Sequence, residues 1–409
     1  MTDPRRVAGI VATSTLSRAR LAVSVAFAAQ GFGFAAMLTS EPGFKERFGV
    51  NDLAITLVIL GVCVLAGLGS ATAEALAHRW GSARALAVGL AVAAVGVGTA
   101  ALAPDRVLFF AGFGVYGWAL GQVDAGTNMQ AVALQHRYGR SILTSFYAAW
   151  SAGGILGALV VSAHVAAGIP QQEALPVVPV VALVAAAVVR RHGWRDITQE
   201  ETAPTVVAPA DPRPFVIPWS GILVLGLAIV GYYVADTAVS TWSSIYLRDT
   251  LTAAGAVAPL GYAAYLGSTL LSRLGGDLLV RRRGRVVVVR LSGVLGAVGL
   301  LGVVVAGSPA VAIVGLAVAG LGLGVVAPLC FAAAGALAPG QADAVIARLN
   351  IFNYVGAVVG GVFVGAIGTG SSLRIGFLLP VVLAVVVVIV APGFGDKVPR
   401  SRDARVVEA

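Results

Sequence analysis

Two acidic residues lie deep within long apolar stretches of the chain. Asp124 falls in the stretch that follows residue 106, and Asp236 in the stretch that follows residue 216. A charged side chain at the centre of a bilayer costs about 2.5–3.5 kcal/mol on insertion scales, so such acids are functional candidates. The chemistry that suits an isolated, desolvated carboxyl group is the binding and release of a proton. We therefore take Asp124 and Asp236 as candidate proton-coupling groups.

Each of these acids also has a structural interpretation. Asp124 and Asn128 are one helical turn apart and can face one cavity, but they can equally bond only to neighbouring helices. Asp236 stands beside Tyr232 and Tyr233 in the outer half of its stretch, where hydroxyl groups would line a polar path. Its alternative is a water-exposed structural acid near the membrane interface.

Amides, hydroxyls and aromatic faces that converge near the middle of a membrane bind polar solutes. The candidate substrate-binding residues of this kind are Gln30, Asn128, Tyr147, Trp150, Trp242, Asn350 and Asn353. Sliding the sequence by 203 positions places Tyr147 on Asn350 and Trp150 on Asn353, so these positions would face each other across one cavity. The alternative for Trp150 and Trp242 is that they anchor the chain at the membrane interface.

The elements that hold these residues are membrane-spanning helices. The 409 residues are 58% hydrophobic and only 11% charged, whereas a soluble domain carries about 25% charged residues. A spanning helix needs about 20 apolar residues, and nothing in the chain alternates with period two. We predict an all-α membrane protein with twelve spans. Their predicted limits are 21–40, 53–76, 84–103, 107–133, 142–168, 174–190, 217–241, 257–280, 286–306, 309–335, 345–369 and 373–394.

The chain divides into two halves with both termini on the cytoplasmic side. We predict a six-helix bundle over 1–190, a polar linker over 191–216, a second bundle over 217–395 and a cytoplasmic tail over 396–409. Most of the 28 Lys and Arg residues fall in segments on the side of the N-terminus, as the positive-inside rule requires. The net charge of +9 therefore reflects topology, and no nucleic-acid partner is expected. Cys63 and Cys330 lie in apolar runs, and we expect neither metal nor cofactor.

The two halves are weakly repeated. The same shift of 203 superimposes seven glycine pairs, among them Gly81 on Gly284, although glycine is also simply abundant in membrane helices. It also places Glu74 on Asp277, near the inner ends of spans two and eight. We interpret Glu74, Arg79, Arg273 and Asp277 as a cytoplasmic gate or latch. Arg273 precedes Asp277 by one helical turn, which allows the two to pair.

These features resemble the major facilitator superfamily. Its Gly-x-x-x-Asp-Arg-x-Gly-Arg signature between spans two and three is present in degraded form from Glu74 to Arg84, with His78 in place of the aspartate. The segment from Arg273 to Arg285 is the counterpart in the second half. The resemblance covers most of the chain and implies two six-helix bundles that rock about a central site.

A closer resemblance is to the sugar- and rhizopine-transporter-like branch of that superfamily. It is carried by the segments from Asp124 to Ala133, from Gly139 to Gly154 and from Asp236 to Leu247. Signatures of drug antiporters are missing, because span four has no mid-helix arginine and span five lacks a Gly-Pro pair. The resemblance implies a transporter of a small polar solute such as a sugar, polyol or amino-polyol.

We therefore expect a secondary active transporter in the cytoplasmic membrane, and not an enzyme. Its expected partners are a small-molecule solute, protons and the lipid bilayer, and we expect a monomer from the resemblance. Proton symport is the preferred direction, and a proton-driven exporter of a metabolite or drug-like compound is the alternative. A membrane-bound transferase is disfavoured because the deep acids have no nucleophile and base beside them. A channel is disfavoured because the repeats show no ring of charges.

Overall fold

The protein is helical throughout the part of the chain that the structure describes. In this computed structural model, the described residues are 4–40, 44, 47–49, 52–195, 217–254, 257–370 and 373–395, and they contain no β-strand. Residues 196–216 of the predicted linker and the predicted tail lie outside them. The predicted domain boundaries there stay a prediction.

The described residues form twelve helices in two sets of six, and two of the twelve are each divided into two segments. The first set is α1 (Pro4–Thr39), α2 (Asp52–Trp80), α3 (Ser82–Leu102), α4 (Arg106–Tyr138), α5 (Leu143–Ala166) and α6 (Val177–His192). The second set is α7 (Trp219–Ile245), α8 (Leu260–Arg283), α9 (Arg285–Val304), α10a (Pro309–Leu323) with α10b (Val326–Leu337), α11 (Ala342–Gly370), and α12a (Leu373–Gly376) with α12b (Leu378–Val390). The predicted twelve-helix architecture is confirmed.

Nine helices of the described chain are long and apolar enough to cross a membrane. The three outside that group are α4, α6 and α8. Helix α6 has only 16 residues, whereas α4 and α8 carry polar and charged side chains within their length. Because intramembrane polar residues are expensive and face the bundle interior, α4 and α8 are the helices in which a functional site is expected.

The two halves repeat the same helix packing. In the first half α1 packs on α5 and α6, α2 on α4, and α3 on α4 and α6; the second half repeats every pairing six helices later. Helices α2 and α3 meet at Gly81 (φ +84°) and α8 and α9 meet at Gly284 (φ +78°), and both turns need a conformation that L side chains rarely adopt. The predicted repeat is therefore confirmed.

Two predicted spans are broken rather than continuous. Span ten, predicted as one helix over 309–335, is interrupted between Leu323 and Val326. Pro328 has no backbone N–H and cannot donate to the carbonyl of Gly324, four residues earlier. Span twelve is interrupted at Phe377 for the same reason, because Pro380 cannot donate to the carbonyl of Gly376. Neither break was predicted, although Pro328 and Pro380 stand in the sequence of these spans.

The halves meet mainly along two pairs of helices. The first seam is the contact of α5 with α8, and the second seam is the contact of α2 with α11. We call the basic end the end of the bundle at which α2 joins α3 and α8 joins α9, where the arginine-rich connections lie. Both seams are closed by polar contacts at the basic end, as described below.

Candidate functional site

Asp124 is bonded to both halves of the protein. Its Oδ1 accepts a hydrogen bond from Nε2 of Gln30 on α1, and its Oδ2 accepts one from the hydroxyl of Tyr354 on α11. The amide of Asn128, one turn further along α4, donates to the backbone carbonyl of Asp124 at 2.9 Å. The predicted neighbourhood of Asp124 and Asn128 is therefore present. Tyr354, the contact from the opposite half, was not predicted.

Tyr147 connects this acid to the first seam. Its hydroxyl donates to Oδ1 of Asn128 at 3.0 Å, and its ring packs against Phe27 with centroids 5.3 Å apart. Cζ of Arg273 lies 5.5 Å from the centroid of the same ring. Two predicted binding residues, Asn128 and Tyr147, thus lie together beside a cation of the opposite half.

Arg273 lies in the seam between the halves and is only 4% exposed. Its Nε donates to the Gly324 carbonyl at 3.1 Å, which is the carbonyl that Pro328 leaves without a helical donor. Its Nη1 donates to the hydroxyl of Ser151 at 2.6 Å and its Nη2 to the hydroxyl of Tyr232 at 2.8 Å. The guanidinium therefore fastens α8 to α10 and α7 of its own half and to α5 of the other.

Asp236 shares a hydrogen-bond chain with Arg273. The hydroxyls of Tyr265 and Tyr232 both donate to its Oδ1, at 2.9 Å and 3.4 Å. Because Tyr232 accepts from Arg273 and donates to Asp236, one tyrosine separates the cation from the carboxylate. A charge change at Asp236 is therefore felt by Arg273 without a direct ion pair.

The asparagines of α11 form a second hydrogen-bonded cluster, which lies on the second seam. The Asn350 amide donates to the hydroxyl of Ser70 on α2 at 2.8 Å, and the Asn353 amide donates to Oδ1 of Asn350 at 2.8 Å. Both side chains are buried, and Oδ1 of Asn353 has no hydrogen-bond partner. An unpartnered buried acceptor costs about 1–3 kcal/mol, so this oxygen is suited to a ligand donor.

The two tryptophans occupy different surroundings. Trp150 is half-buried beside the site, with its ring 5.8 Å from Cζ of Arg273 and 5.9 Å from the ring of Phe34. Trp242 instead bridges α7 and α11 within the second half, where its indole N–H donates to the Gly361 carbonyl at 3.1 Å. Only Trp150 lies with the other candidate residues.

The latch residues close the two seams at the basic end. Asp277 accepts hydrogen bonds from the Ser141 hydroxyl at 2.7 Å and from the backbone N–H groups of Thr144 and Ser145 at 3.2 Å and 3.0 Å. It therefore caps the first turn of α5 from the opposite half. On the second seam, Glu74 forms an ion pair with Arg348 at 2.7 Å.

Two expectations about the latch need correction. Arg273 is not paired with Asp277, because Asp277 is bonded to α5 and the guanidinium turns to the freed carbonyl of Gly324. Arg79 lies over the ring of its neighbour Trp80, with 5.8 Å from Cζ to the centroid, and the partner of Glu74 is Arg348. Arg273 thus belongs to the central cluster.

Comparisons with known proteins agree with this architecture. A family model described as Major Facilitator Superfamily matches residues 225–408. An uncharacterized MFS-type transporter of Yersinia pestis is 26% identical over 358 residues, which are 88% of this chain and 91% of that protein. The second half of the chain therefore matches the major facilitator superfamily, and most of the chain is similar to a transporter of that superfamily. The chain is a transporter and not an enzyme.

Solved structures of transporters share the fold of this chain. The facilitator superfamily transporter FucP, in its outward conformation, superimposes with a TM-score of 0.75 at 15% identity, covering 92% of this chain and 98% of FucP. The human organic anion transporter MFSD10 superimposes with a TM-score of 0.76 at 15% identity, covering 92% of this chain and 99% of MFSD10. At these identities the likeness establishes the fold alone.

The internal repeat relates the predicted site residues to three site residues that were not predicted. The shift of 203 places Ser70 on Arg273, and each lies on its seam beside a repeat-equivalent partner, Asn350 for Ser70 and Tyr147 for Arg273. The same shift places Ser151 on Tyr354, and each contacts a charged residue of the opposite half. Searching for polar residues at repeat-equivalent positions would have found Ser70, Ser151 and Tyr354.

Proposed function

We propose that this transporter moves a small polar organic solute, of the sugar, polyol or amino-polyol class, together with protons. The observation that carries the proposal is the position of Asp124, which is bonded by Gln30 of one half and by Tyr354 of the other. A carboxyl group that joins the halves links its protonation to their relative position. We place the protein in the cytoplasmic membrane as a monomer with both termini inside.

Proton coupling follows from the acceptor chemistry of Asp124. As a carboxylate it accepts from both Gln30 and Tyr354, whereas a protonated group must donate through one oxygen. Protonation therefore weakens one of the two bonds and changes the preference between arrangements of the halves. Asp236 is the second candidate, because the chain through Tyr232 ties its charge to Arg273 and so to Ser151 on the first half.

Recognition of a hydroxylated solute is supported by an unpartnered hydrogen-bond acceptor and an aromatic ring at the seams. The oxygen of Asn353 lacks a partner, and the half-buried ring of Trp150 offers an apolar face of the kind that packs on a sugar ring. FucP of Escherichia coli, which has this fold, is a fucose:proton symporter. An organic anion transporter has the same fold. The proposed substrate class is therefore argued from the side chains of the site and not from the fold.

The test is solute uptake in proteoliposomes with an imposed pH gradient, while an internal dye reports proton movement. Sugars, polyols, amino-polyols and amphiphilic drugs are screened for movement with the proton. The wild type is expected to accumulate a polar solute in the direction of proton flow. If hydrophobic compounds leave against protons instead, the chain is an exporter and symport is wrong.

The coupling residues are tested with variants that preserve shape. We expect Asp124→Asn to abolish uphill uptake while solute exchange at equal concentrations continues, and Asp236→Asn to reduce uphill uptake. Asp105→Asn is the matched control, because Asp105 caps the start of the same helix and asparagine is an equally good cap. Intact proton-driven uptake in both Asp124→Asn and Asp236→Asn would refute the coupling.

A further inference from the structure

We propose that the first seam carries a binding site for the phosphate headgroup of an anionic phospholipid at the basic end. A cavity of about 240 Å³ opens there between α1, the connection from α4 to α5, and α8. Arg20, Arg140 and Arg281 line it, each from a different one of these elements. Nothing in the proposed solute pathway uses this cavity, so the inference stands independently of the proposed substrate.

The three arginines are held in place without exhausting their donors. Nη2 of Arg20 donates to the hydroxyl of Ser145 at 3.3 Å, and Nη1 of Arg281 donates to the carbonyl of Ser141 at 2.9 Å. Cζ of Arg20 and Cζ of Arg140 lie 5.7 Å and 6.0 Å from the ring centroid of Tyr138. A guanidinium has five N–H donors, so each keeps several for a ligand.

The residues that line the cavity carry a net positive charge. Asp277 is the one acid among the lining residues, and its carboxylate is already bonded to the start of α5. Three guanidinium groups against one engaged carboxylate favour an anion. Arginine binds phosphate oxygens with paired, charge-assisted hydrogen bonds, which identifies phosphate as the chemistry that fits.

A lipid supplies that phosphate because the same cavity reaches the membrane face. Leu274 and Leu278 line it together with the arginines and are 64% and 46% exposed. Acyl chains lie against such leucines while the headgroup reaches inward to the arginines. Basic pockets between transmembrane helices on the cytoplasmic side are a known setting for headgroup binding.

The site is confined to one seam and spans both halves. The shift of 203 places Arg281 on His78 and Arg140 on Asp343, so the second seam lacks the equivalent cations. Arg20 and Arg140 belong to the first half, whereas Arg281 belongs to the second. A headgroup bound to all three therefore stabilises the arrangement in which the basic end is closed.

The test is native mass spectrometry of the purified full-length protein, titrated with phosphatidylglycerol or with phosphatidylcholine of identical acyl chains. The triple variant Arg20→Gln/Arg140→Gln/Arg281→Gln is expected to bind phosphatidylglycerol about 100-fold more weakly, at about five-fold for each arginine near a membrane surface. Its binding of phosphatidylcholine is expected to be unchanged. If the triple variant does not fold, Arg281→Gln alone is expected to weaken phosphatidylglycerol binding about five-fold.

Two controls separate this site from general surface charge. Arg282→Gln removes an exposed cation next to the cavity and is expected to change nothing. The triple Lys variant keeps the charge but loses the paired hydrogen bonds, so its affinity for phosphatidylglycerol is expected to lie between those of the wild type and the triple Gln variant. Equal losses in Arg282→Gln and Arg281→Gln would overturn the site, as would unchanged binding in the triple Gln variant. Displacement of phosphatidylglycerol by millimolar inorganic phosphate would show that the ligand is a free anion and overturn the lipid assignment.

Discussion

Replacing Asp277 by asparagine is expected to loosen the first seam at the basic end. The Asp277 side chain is 6% exposed and accepts three hydrogen bonds from the beginning of α5. Asparagine has the same shape but carries no charge and only one acceptor oxygen. Hydrogen bonds to charged groups contribute about 1.5–3 kcal/mol and neutral ones about 0.5–1.5 kcal/mol. Loss of the bond from the Ser145 N–H to Oδ2 alone costs the closed arrangement about 1.5–3 kcal/mol, which is about a 10- to 150-fold shift toward the open one.

The repeat supplies a matched control for Asp277→Asn. Glu74 is the repeat equivalent, but its ion pair with Arg348 is part-exposed, at 29% and 24%. Exposed pairs contribute up to about 1 kcal/mol, so Glu74→Gln is expected to shift the equilibrium by about five-fold at most.

The two variants are compared by pulsed electron paramagnetic resonance in nanodiscs. Spin labels are placed at the exposed positions His78 and Arg283, one on each half, in a chain with Cys63 and Cys330 replaced by alanine. The longer distance is expected to gain population strongly in Asp277→Asn and weakly in Glu74→Gln. Equal shifts in the two variants would refute the reasoning that the buried cap dominates closure.

Three further outcomes follow from the packing. Gly121→Ala places a Cβ against a carbonyl of α2 and is expected to cost about 1–3 kcal/mol, seen as a lower thermal midpoint, whereas Gly67→Ala meets no neighbour and is expected to be neutral. Pro328→Ala restores an N–H that competes with Arg273 for its carbonyl acceptor, so turnover in proteoliposomes is expected to fall; wild-type turnover would contradict this. Trp242→Phe loses one hydrogen bond and is expected to lower stability by about 1 kcal/mol while the KM for solute stays unchanged; a raised KM would place Trp242 in the site.

The helices were predictable from the sequence because a membrane-spanning helix needs about 20 predominantly apolar residues in succession. All twelve predicted spans correspond to helices, even for α4 and α8, whose polar residues lower their hydropathy. The breaks in α10 and α12 were equally readable from Pro328 and Pro380, since a proline removes a specific backbone donor. They were missed because the spans were read as uniform apolar runs.

The residues that belong to the site were easier to predict from the sequence than the contacts that they make. Asp124, Asn128 and Tyr147 were selected as polar residues in apolar helices, and they lie together. Which residue of the opposite half contacts them depends on how the two bundles meet, and one helix alone does not encode that. Tyr354 and the true partner of Arg273 were therefore missed, although the repeat contained the required information.

The bond between Arg273 and the carbonyl at the break in α10 makes two distant positions epistatic. With Pro328 present, losing the arginine leaves a backbone carbonyl without its donor in a water-poor interior, where an unsatisfied group costs several kcal/mol. With alanine at that position, the helix supplies a donor and the same loss of the arginine costs less. The order in which substitutions accumulate at these two positions therefore matters. A chain that loses the proline first can then lose the arginine at a smaller cost in stability, whereas a chain that loses the arginine first incurs the full cost of the unsatisfied carbonyl.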